Sequence, residues 1–381
     1  MRKQQRFSGE WEIKRVAEFG DVITGSTPST KVDAYWGESY PWITPTDISE
    51  TRDMMTSERH LTQEGLNAIR TLPPNTVLVT CIASIGKNAI LRTTGGCNQQ
   101  INAVTPNTSH NAEFLYYLFE FNSNYLLANA GITATNIVSK AAFSNLVFEV
   151  PPLEEQRAIA EVLSDVDGLI NALDTLIAKK RAIKQATMQQ LLTGDTRLPG
   201  FSGVWETKRL GDVATIKTGS KNNEDKDENG QYPLFVRSAV VERINSYCFD
   251  GEAILVPGEG GIENIFHYIN GRFDCHQRVY MINRFTDDVC GKLVYYIMVL
   301  QFGSHAMKNT VKATVDSLRL PTFQTFSFSI PKDIAEQRAI GAVLSDMDAE
   351  IAALEQRRDK TIAIKQGVMQ QLLTGKVRLL K

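Results

Sequence analysis

Two long segments of the chain carry apolar residues at every third or fourth position. The first segment has this spacing at Val162, Leu163, Val166, Leu169, Ile170, Leu173, Leu176, Ile177, Ile183 and Leu191. The second has it at Ile340, Val343, Leu344, Met347, Ile351, Leu354, Ile364, Val368 and Leu372. The spacing predicts an amphipathic helix in each segment, and about 40 residues at about 1.5 Å per residue give a length of about 60 Å. Helices of that length need a partner helix to cover the apolar stripe.

The two segments are copies of one another. EQRAIAEVLSDVD at Glu155 matches EQRAIGAVLSDMD at Glu336, and MQQLLTG occurs at Met188 and again at Met369, with one constant offset. A second match, at another offset, aligns RFSGEWEIKRV near the N-terminus with GFSGVWETKRL at Gly200. Between these matches the sequences diverge. The repeat therefore predicts the order head, long helix, head, long helix, with unlike heads on a duplicated scaffold.

Charge along the two predicted helices indicates the direction in which they pair. Each helix is acidic in its early half and basic in its late half. The acidic residues are Glu154, Glu155, Glu161, Asp165, Asp167 and Asp174 in the first helix and Asp346, Asp348, Glu350 and Glu355 in the second. The basic residues are Lys179, Lys180, Arg181 and Lys184, then Arg357, Arg358, Lys360 and Lys365. Antiparallel packing places opposite charges side by side, although each helix's own dipole favours the same charge order.

The middle of the second helix is more polar than that of the first. Glu350, Arg357 and Arg358 occupy stripe positions that hold leucine or isoleucine in the first copy. Two interpretations remain open at this stage. These residues lie at the edge of the helix pair, or that stretch receives another protein.

Each head has the pattern of a mixed α/β domain. TVLVTCIA, NAILRT and INAVTP are typical of strands, and AEFLYYLFEFNSNYLLANA is typical of a helix. The predicted fold class is therefore α+β, with two mixed heads separated by two long antiparallel helices that form an intramolecular coiled coil. The predicted boundaries are 1–151 and 195–331 for the heads and 152–194 and 332–376 for the long helices.

Composition narrows the class of protein. The chain has 381 residues, 43% of them hydrophobic, and a net charge of -2, as in an ordinary soluble protein with no global electrostatic signal for nucleic acid. The five cysteines are odd in number and lack a C-x-x-C pair, which argues against a disulfide framework and a structural zinc site. No apolar run approaches the roughly 20 residues needed to cross a bilayer. We expect a cytoplasmic protein with no membrane association.

The sequence lacks the motifs of adenine methyltransferases and of enzymes with a phosphate-binding loop. The double prolines at Pro73-Pro74 and Pro151-Pro152 do not fit the Asn/Asp-Pro-Pro-aromatic motif of adenine methyltransferases. There is no G-x-x-x-x-G-K-[ST] phosphate loop, and the five histidines have no metal-ligand spacing. The sequence therefore predicts no catalytic residues and no metal site.

The repeated motifs resemble a known family. PPLEEQRAIAEVLSDVD, KKRAIKQATMQQLLTGDTRLPGF and their second copies resemble the two repeated regions of type I restriction-modification DNA specificity subunits. TGSTPST and WITPTDIS in the first head resemble the target recognition domains of that family. The second head departs from this pattern, with TGSKNNEDKDENGQYPLF in the equivalent place.

The resemblance implies a noncatalytic subunit that binds a bipartite site in double-stranded DNA. Each head would read one half-site, and the helix pair would set the spacer between them. Two modification (methyltransferase) subunits would supply S-adenosylmethionine chemistry, adenine-N6 methylation. Restriction (motor-nuclease) subunits, where a system has them, would bring ATP, Mg and endonuclease activity. The alternatives are a protein-binding scaffold with two heads on a coiled coil and a self-contained DNA-modifying enzyme.

Polar loops supply the candidate DNA contacts, because Arg, Lys, Asn, Gln, Ser and Thr side chains can read base edges. In the first head they are Thr24, Ser26, Thr27, Ser84, Lys87, Asn88, Asn98, Gln99 and Gln100. In the second head they are Lys221, Asn222, Arg237, Gly260, Gly261, His276, Gln277 and Arg278. For partner binding the candidates are Glu155, Gln156, Arg157, Glu336, Gln337 and Arg338, which alternatively cap the first turn of each long helix. Trp11 and Trp205 are predicted to pack in the cores of the heads.

Overall fold

The computed structural model describes residues 10–49, 51–131, 136–259, 265–309 and 318–379. The chain forms two compact units: unit 1 is Met1–Leu173 with Arg357–Lys381, and unit 2 is Asp174–Gln356. The boundary falls within the long helices, because the ends of each helix belong to the cores of the heads. The four-part division predicted from the sequence therefore differs from these compact units, in which heads and helix ends pack together.

Unit 1 contains a mixed α/β head. Its strands are β1 (Glu12–Arg15), β2 (Gly20–Thr24), β3 (Trp36–Gly37), β4 (Tyr40–Ile43), β5 (Asp53–Met54), β6 (His60–Leu61), β7 (Thr76–Thr80), β8 (Asn88–Leu91), β9 (Gly96–Cys97), β10 (Ile101–Pro106) and β11 (Val147–Val150). Its helices are α1 (Val16–Phe19), α2 (Gln63–Asn67), α3 (Ala112–Phe121), α4 (Ser123–Ala128) and α5 (Lys140–Asn145). The main sheet has the order β2-β10-β7-β8-β5, beside a four-stranded sheet β3-β6-β4-β9 and the pair β1-β11.

The core of unit 1 lies between the main sheet and helix α3. Strands β7 and β8 are buried at every position, as expected for central strands covered on both faces. Phe114, Leu115 and Phe119 of α3 are fully buried against them. The first long helix, α6 (Leu153–Thr193), contributes Ile159 and Leu163 to the same core.

Unit 2 contains a second mixed head with a different sheet. Its strands are β12 (Trp205–Arg209), β13 (Thr215–Thr218), β14 (Tyr232–Phe235), β15 (Val241–Ile244), β16 (Phe249–Pro257), β17 (His267–Cys275), β18 (Val279–Asn283) and β19 (Ser327–Pro331). The helices of this head are α7 (Leu210–Val213), α8 (Gly291–Asn309) and α9 (Leu320–Gln324). The main sheet has the order β13-β18-β16-β17-β14-β15, and β12 pairs with β19. The second long helix, α10 (Ile334–Leu372), follows the head.

The long helices run antiparallel in unit 2. Lys184 of α6 forms an ion pair with Asp348 of α10, and Arg181 forms one with Glu355. Later positions in one helix therefore face earlier positions in the other, which confirms the predicted direction of pairing. Tyr296 of α8 joins this contact because its hydroxyl donates to Asp348 Oδ2 at 2.7 Å. The ion pair thus ties the head to both long helices.

Unit 1 repeats this arrangement with the equivalent residues of the other copy. Lys365 Nζ of α10 lies 2.9 Å from Asp167 Oδ1 of α6 and 3.1 Å from Glu120 Oε1 of α3. The Tyr117 hydroxyl of α3 donates to Asp167 Oδ2 at 2.6 Å. In both copies the repeated aspartate and lysine therefore form an ion pair between the long helices, and the aspartate also binds a tyrosine of the head.

The polar positions in the middle of α10 lie outside the apolar seam. Glu350 is exposed, and its Oε1 lies 2.6 Å from Lys180 Nζ in an ion pair between the two long helices. Arg357 is also exposed, and Arg358 Nη2 donates to Asp359 Oδ1 at 2.7 Å. Glu350 therefore lies at the edge of the helix pair, which agrees with the first of the two interpretations of this stretch.

The repeated TG sequence ends each long helix beside a tryptophan. Gly194 and Gly375 have φ of 80° and 66°, the left-handed conformation that glycine adopts at helix ends without steric cost. A Cβ at Gly194 would lie 3.3 Å from the Trp205 ring, and one at Gly375 would lie 3.3 Å from the Trp11 ring. Both tryptophans pack against the core of their own unit. The predicted packing role of Trp11 and Trp205 is confirmed.

A buried glutamate at the start of each long helix pairs with an arginine from the end of the other copy. Arg378 Nε and Nη2 donate to the two carboxylate oxygens of Glu155 at 2.7 and 2.6 Å. In unit 2, Arg197 donates to both oxygens of Glu336 at 2.6 Å. Both glutamate side chains are 0% exposed. The pairs are therefore internal, bidentate salt bridges.

The glutamines that follow these glutamates are also internal. The Gln156 side chain accepts from Asn111 N at 3.0 Å and donates to Pro151 O at 2.9 Å. Gln337 in unit 2 accepts from Cys290 N at 2.9 Å. These bonds hold the strand before each long helix against the turn that enters a head helix.

Four of the six candidates for partner binding are therefore buried in this structure, namely Glu155, Gln156, Glu336 and Gln337. Their polar atoms are used inside their own unit and are closed to another protein. The remaining candidates, Arg157 and Arg338, are exposed.

Candidate nucleic-acid interface

The candidate loops of the first head leave from one end of its main sheet. Thr24 at the end of β2 pairs with Asn102, and Thr80 at the end of β7 pairs with Ile101 at the start of β10. The segments 25–30, 81–87 and 98–100 therefore begin or end at the same edge. Cys81 N donates to Gln100 O at 2.8 Å, which joins the second and third segments.

The turn after Thr24 crosses directly over the segment before β10. Gly25 N donates to Ile101 O at 3.0 Å, and Ser26 N donates to Cys97 O at 2.8 Å. A Cβ at Gly25 would overlap the carbonyl oxygen of Asn98. Only glycine permits this close approach.

Replacing Gly25 by alanine is expected to destabilise the crossing of these two segments in the first head. The added Cβ collides with backbone rather than with a flexible side chain, so segments 25–30 and 98–100 must separate. We expect the free energy of unfolding of unit 1 to fall by about 1–3 kcal/mol in denaturant unfolding of the full chain.

Gly168→Ala is the matched control for this substitution, because no atom lies within 4 Å of a Cβ at that position in the middle of α6. The control is expected to stabilise the helix by up to about 1 kcal/mol. Equal free energies of unfolding for the two variants would contradict the steric argument.

Several candidate side chains of the first head are presented by these segments. Thr27 Oγ1 donates to Gln99 Oε1, and both residues are exposed. Asn98 and Gln100 are half-buried, and Asn98 Nδ2 donates to Gln100 Oε1 at 3.0 Å. The side chains therefore form a preorganised set of donors and acceptors along the edge.

The remaining candidates of the first head differ in exposure. Ser84 and Lys87 are exposed on the turn between β7 and β8, and Ser26 is half-buried. Asn88 is 8% exposed, and its Nδ2 donates to Tyr116 O at 2.6 Å. The amide of Asn88 therefore holds helix α3 against the sheet, and its contact with DNA stays a prediction.

The second head builds an equivalent crossing from different residues. Gly219 N donates to Val279 O at 3.2 Å, and a Cβ at Gly219 would overlap Cys275 O. Lys221 N donates to Cys275 O at 3.2 Å. Segment 276–278 therefore occupies the position that 98–100 occupies in the first head, and both segments hold candidate DNA contacts predicted from the sequence.

At this crossing the side chains are divided between exposed and buried positions. Gln277 Nε2 donates to Asn222 Oδ1 at 2.6 Å, and both residues are exposed. His276 is 5% exposed, and its Nδ1 accepts from Arg278 N at 3.0 Å. Burial, aided by Arg237 and Arg278, lowers the pKa of His276. His276 is therefore buried at the crossing, and its contact with DNA stays a prediction.

Two candidate arginines of the second head share one carboxylate. Arg278 Nη1 donates to Glu259, and Arg237 Nη1 lies 3.4 Å from Glu259 Oε2. The hydrogen bond from Arg278 lowers the pKa of Glu259. A cavity of about 560 Å³ is lined by Arg237, Glu259 and neighbouring polar residues. Gly260 and Gly261, also predicted contacts, lie outside the described residues.

The chemistry offered by these edges is hydrogen bonding and charge. Across the described ranges, no three His, Cys, Asp or Glu side chains are grouped so that they could hold a metal ion. In the same ranges, no helix has the length and apolar character needed to span a membrane. The polar edges can pair with bases and phosphates.

Sequence reasoning missed three further features. Tyr117 and Tyr296 bind Asp167 and Asp348. Each follows another tyrosine in its head helix, so the repeated Tyr-Tyr pair was a sequence signal for these two residues. Arg59 stacks on Trp36 beside the turn that follows Thr24. No sequence periodicity marks that contact.

A family model described as the type I restriction modification DNA specificity domain matches residues 8–185 and 203–363. This chain belongs to that family. The match covers both heads and most of both long helices, so the resemblance seen in the repeated motifs is confirmed.

Relatives of known name are similar along different shares of their length. The chain is 32% identical over 261 residues to the type I restriction enzyme MjaIX specificity subunit of Methanocaldococcus jannaschii, covering 63% of this chain and 60% of that protein. The MjaVIII specificity subunit of the same organism is 23% identical across 98% of this chain and 94% of its own length. The chain thus spans less than two thirds of the first relative and nearly all of the second.

Solved structures show the same fold. The S subunit of a type I restriction-modification system from M. genitalium matches with a TM-score of 0.68 and 16% identity, over 95% of this chain and 96% of that one. A chain from a study titled as the structural basis of complex assembly and conformational transition of the type I R-M system matches with a TM-score of 0.57 and 17% identity, over 97% and 98%. The predicted fold class, with two mixed heads and two long antiparallel helices, is confirmed.

Proposed function

We propose that this chain is the DNA specificity subunit of a type I restriction-modification enzyme, in which each head reads one half of a bipartite site. The observation that carries the proposal is the crossing at Gly25 in one head and at Gly219 in the other. Each crossing presents polar side chains at one sheet edge, and the side chains differ between heads. A shared scaffold with unlike reading edges suits a split, asymmetric site.

The long helices act as the ruler between the two half-sites. Helix α6 is continuous from Leu153 to Thr193, and its two ends contribute to the cores of unit 1 and unit 2. Modules that read the same face of B-DNA must be spaced by about 34–36 Å per helical turn. A helix anchored in a head at each end supports a fixed spacer where a flexible linker would not.

The catalytic functions belong to partner subunits in this proposal. The chain itself is noncatalytic, and two modification subunits supply S-adenosylmethionine for adenine-N6 methylation. Motor-nuclease subunits, where present, supply ATP- and Mg-dependent endonuclease activity. The assembly works in the cytoplasm, where the DNA is. Leu176 and Ile183 support docking on the helices, because they lie seven residues apart on α6 and are 38% and 44% exposed.

A head exchange tests the reader function. The chain is co-expressed with its modification subunits, and single-molecule sequencing identifies the methylated site. Replacing head residues 10–151 by the corresponding head of a relative is expected to change one half-site and to keep the other half-site and the spacer. The unexchanged chain is the control.

The two rival functions give different outcomes in the same experiment. Unchanged sequence specificity after the exchange would favour the protein-binding scaffold. Methyl transfer from S-adenosylmethionine to DNA by the purified chain alone would favour the self-contained enzyme.

A further inference from the structure

Arg59 in the first head rests on a pair of tryptophan rings. Its Cζ lies 3.6 Å from the centroid of the Trp36 ring and 5.4 Å from that of Trp42. The two rings meet edge to face, with centroids 5.2 Å apart and an interplanar angle of 85°. Cation–π attraction at these distances holds a guanidinium in a restricted set of orientations.

Both rings are fixed to the turn that follows Thr24. Trp42 Nε1 donates to Ser26 O at 3.0 Å, and Trp36 Nε1 donates to Ser29 O at 3.3 Å. The backbone closes the same contact, because Trp42 N donates to Arg59 O at 3.0 Å. The arginine therefore belongs to the same surface as the candidate DNA-reading turn.

Arg59 differs from the other arginines of this head. Arg52 and Arg92 form ion pairs with Asp53, Arg15 pairs with Glu18, and Arg70 donates to the Thr24 carbonyl. Within the described part of residues 10–151, Arg59 is the arginine whose guanidinium donates to no protein group. Its side chain is exposed, so its donors are open to a ligand.

We infer that Arg59 reads a guanine in the major groove of the half-site bound by the first head, with Trp36 and Trp42 aiming the guanidinium. The inference rests on the proposed function. Guanine offers the acceptors O6 and N7 side by side, which fit the paired donors of arginine. A phosphate contact requires charge alone and tolerates a mobile side chain, whereas base reading requires a fork held in one orientation. The tryptophan pair supplies that restraint.

The test uses the chain assembled with its modification subunits and a DNA library randomised in both half-sites. Arg59→Ala and Arg59→Lys are both expected to lose about 10- to 100-fold of the preference for G at one position of one half-site. Other positions, the second half-site and the spacer are expected to stay unchanged. Trp36→Leu is expected to relax the same position, because the guanidinium loses its support.

Arg272→Lys in unit 2 is the matched control. Arg272 also stacks on an aromatic ring, with Cζ 5.0 Å from the Tyr247 centroid, but its Nε lies 2.9 Å from Asp250 in an ion pair. This variant is expected to leave the G preference of the first head intact. Thermal unfolding of each variant close to that of the unmodified chain confirms that folding is preserved.

Three results would overturn the inference alone while the reader function stands. The first is a half-site of this head that contains no G·C pair. The second is an unchanged preference in Arg59→Ala. The third is uniform weakening on all sequences that Arg59→Lys restores, which identifies a phosphate contact. A wild-type assembly without any sequence preference overturns the proposed function and this inference together.

Discussion

Replacing Arg378 by alanine is expected to lower the free energy of unfolding of unit 1 by about 3–5 kcal/mol. Arg378 forms a bidentate salt bridge with Glu155, whose side chain is 0% exposed. Removing the arginine leaves a buried carboxylate without its ion-pair partner. The charge must then be neutralised or hydrated, and either change costs free energy of folding.

Denaturant unfolding of the full chain measures this effect, and an exposed ion pair in the same helical turn as Glu155 offers a matched control. Arg157 Nη1 lies 2.7 Å from Glu154 Oε1, but their side chains are 57% and 69% exposed. Arg157→Ala is therefore expected to cost less than about 1 kcal/mol. Combining Glu155→Gln with Arg378→Ala should recover part of the loss, because the buried charge is gone. Equal destabilisation by Arg378→Ala and Arg157→Ala would contradict the argument.

The pair also explains why the two repeats depend on each other. The glutamate belongs to the EQRAI motif of one copy, and the arginine follows the QQLLTG motif of the other. Unit 1 takes Arg378 from near the end of the chain, and unit 2 takes Arg197 from the segment between the first long helix and the second head. Each unit thus combines the EQRAI motif of one copy with the arginine that follows the QQLLTG motif of the other copy.

The long helices could be predicted closely because their signal is averaged over many residues. The predicted ranges 152–194 and 332–376 compare with Leu153–Thr193 and Ile334–Leu372. Apolar periodicity over some ten turns outweighs local irregularity, and glycine marks the ends. Charge gradients added the direction of pairing, which the ion pair between Lys184 and Asp348 reflects.

The burial of single polar residues could not be predicted in the same way. Glu155 and Gln156 follow a double proline in a charged stretch, and nothing local shows that Arg378 returns to cover them. Asn88 and His276 lie beside glycine and polar residues typical of exposed turns, yet both are buried. In each case the partner is distant in sequence, so the exposure depends on tertiary packing.

The positions of the loops that carry the candidate DNA contacts were predicted in part. Glycine turns and polar clusters located segments 24–27 and 98–100, because close backbone crossings require glycine. The stacking of Arg59 on Trp36 was not predicted, because the residues come from short strands and loops with no shared period. Composition did not indicate this contact either, because a net charge of -2 for the whole chain says nothing about one exposed arginine in the first head.

Removing residues 172–175 of the first long helix together with residues 353–356 of the second is expected to shorten the DNA spacer by up to about two base pairs. Four residues correspond to about 6 Å of helix, and B-DNA rises about 3.4 Å per base pair. The two deletions are equivalent positions in the repeat, so antiparallel register is kept outside them. Both aspartate–lysine ion pairs between the helices remain, because Asp167 and Lys184 flank the first deletion and Asp348 and Lys365 flank the second.

Deleting only one of the two segments is the informative control. The helices then differ in length, and the Lys184–Asp348 and Lys365–Asp167 pairs can no longer form together in register. We expect the single deletions to lose methylation, whereas the double deletion methylates a bipartite site with both half-sites retained and a shorter gap. Four residues also rotate each helix by about 40° beyond a full turn, which adds strain at the seam and lowers occupancy. Methylome sequencing could instead find the original spacer at full occupancy after the double deletion. That result would contradict the proposal that the helices set the spacer.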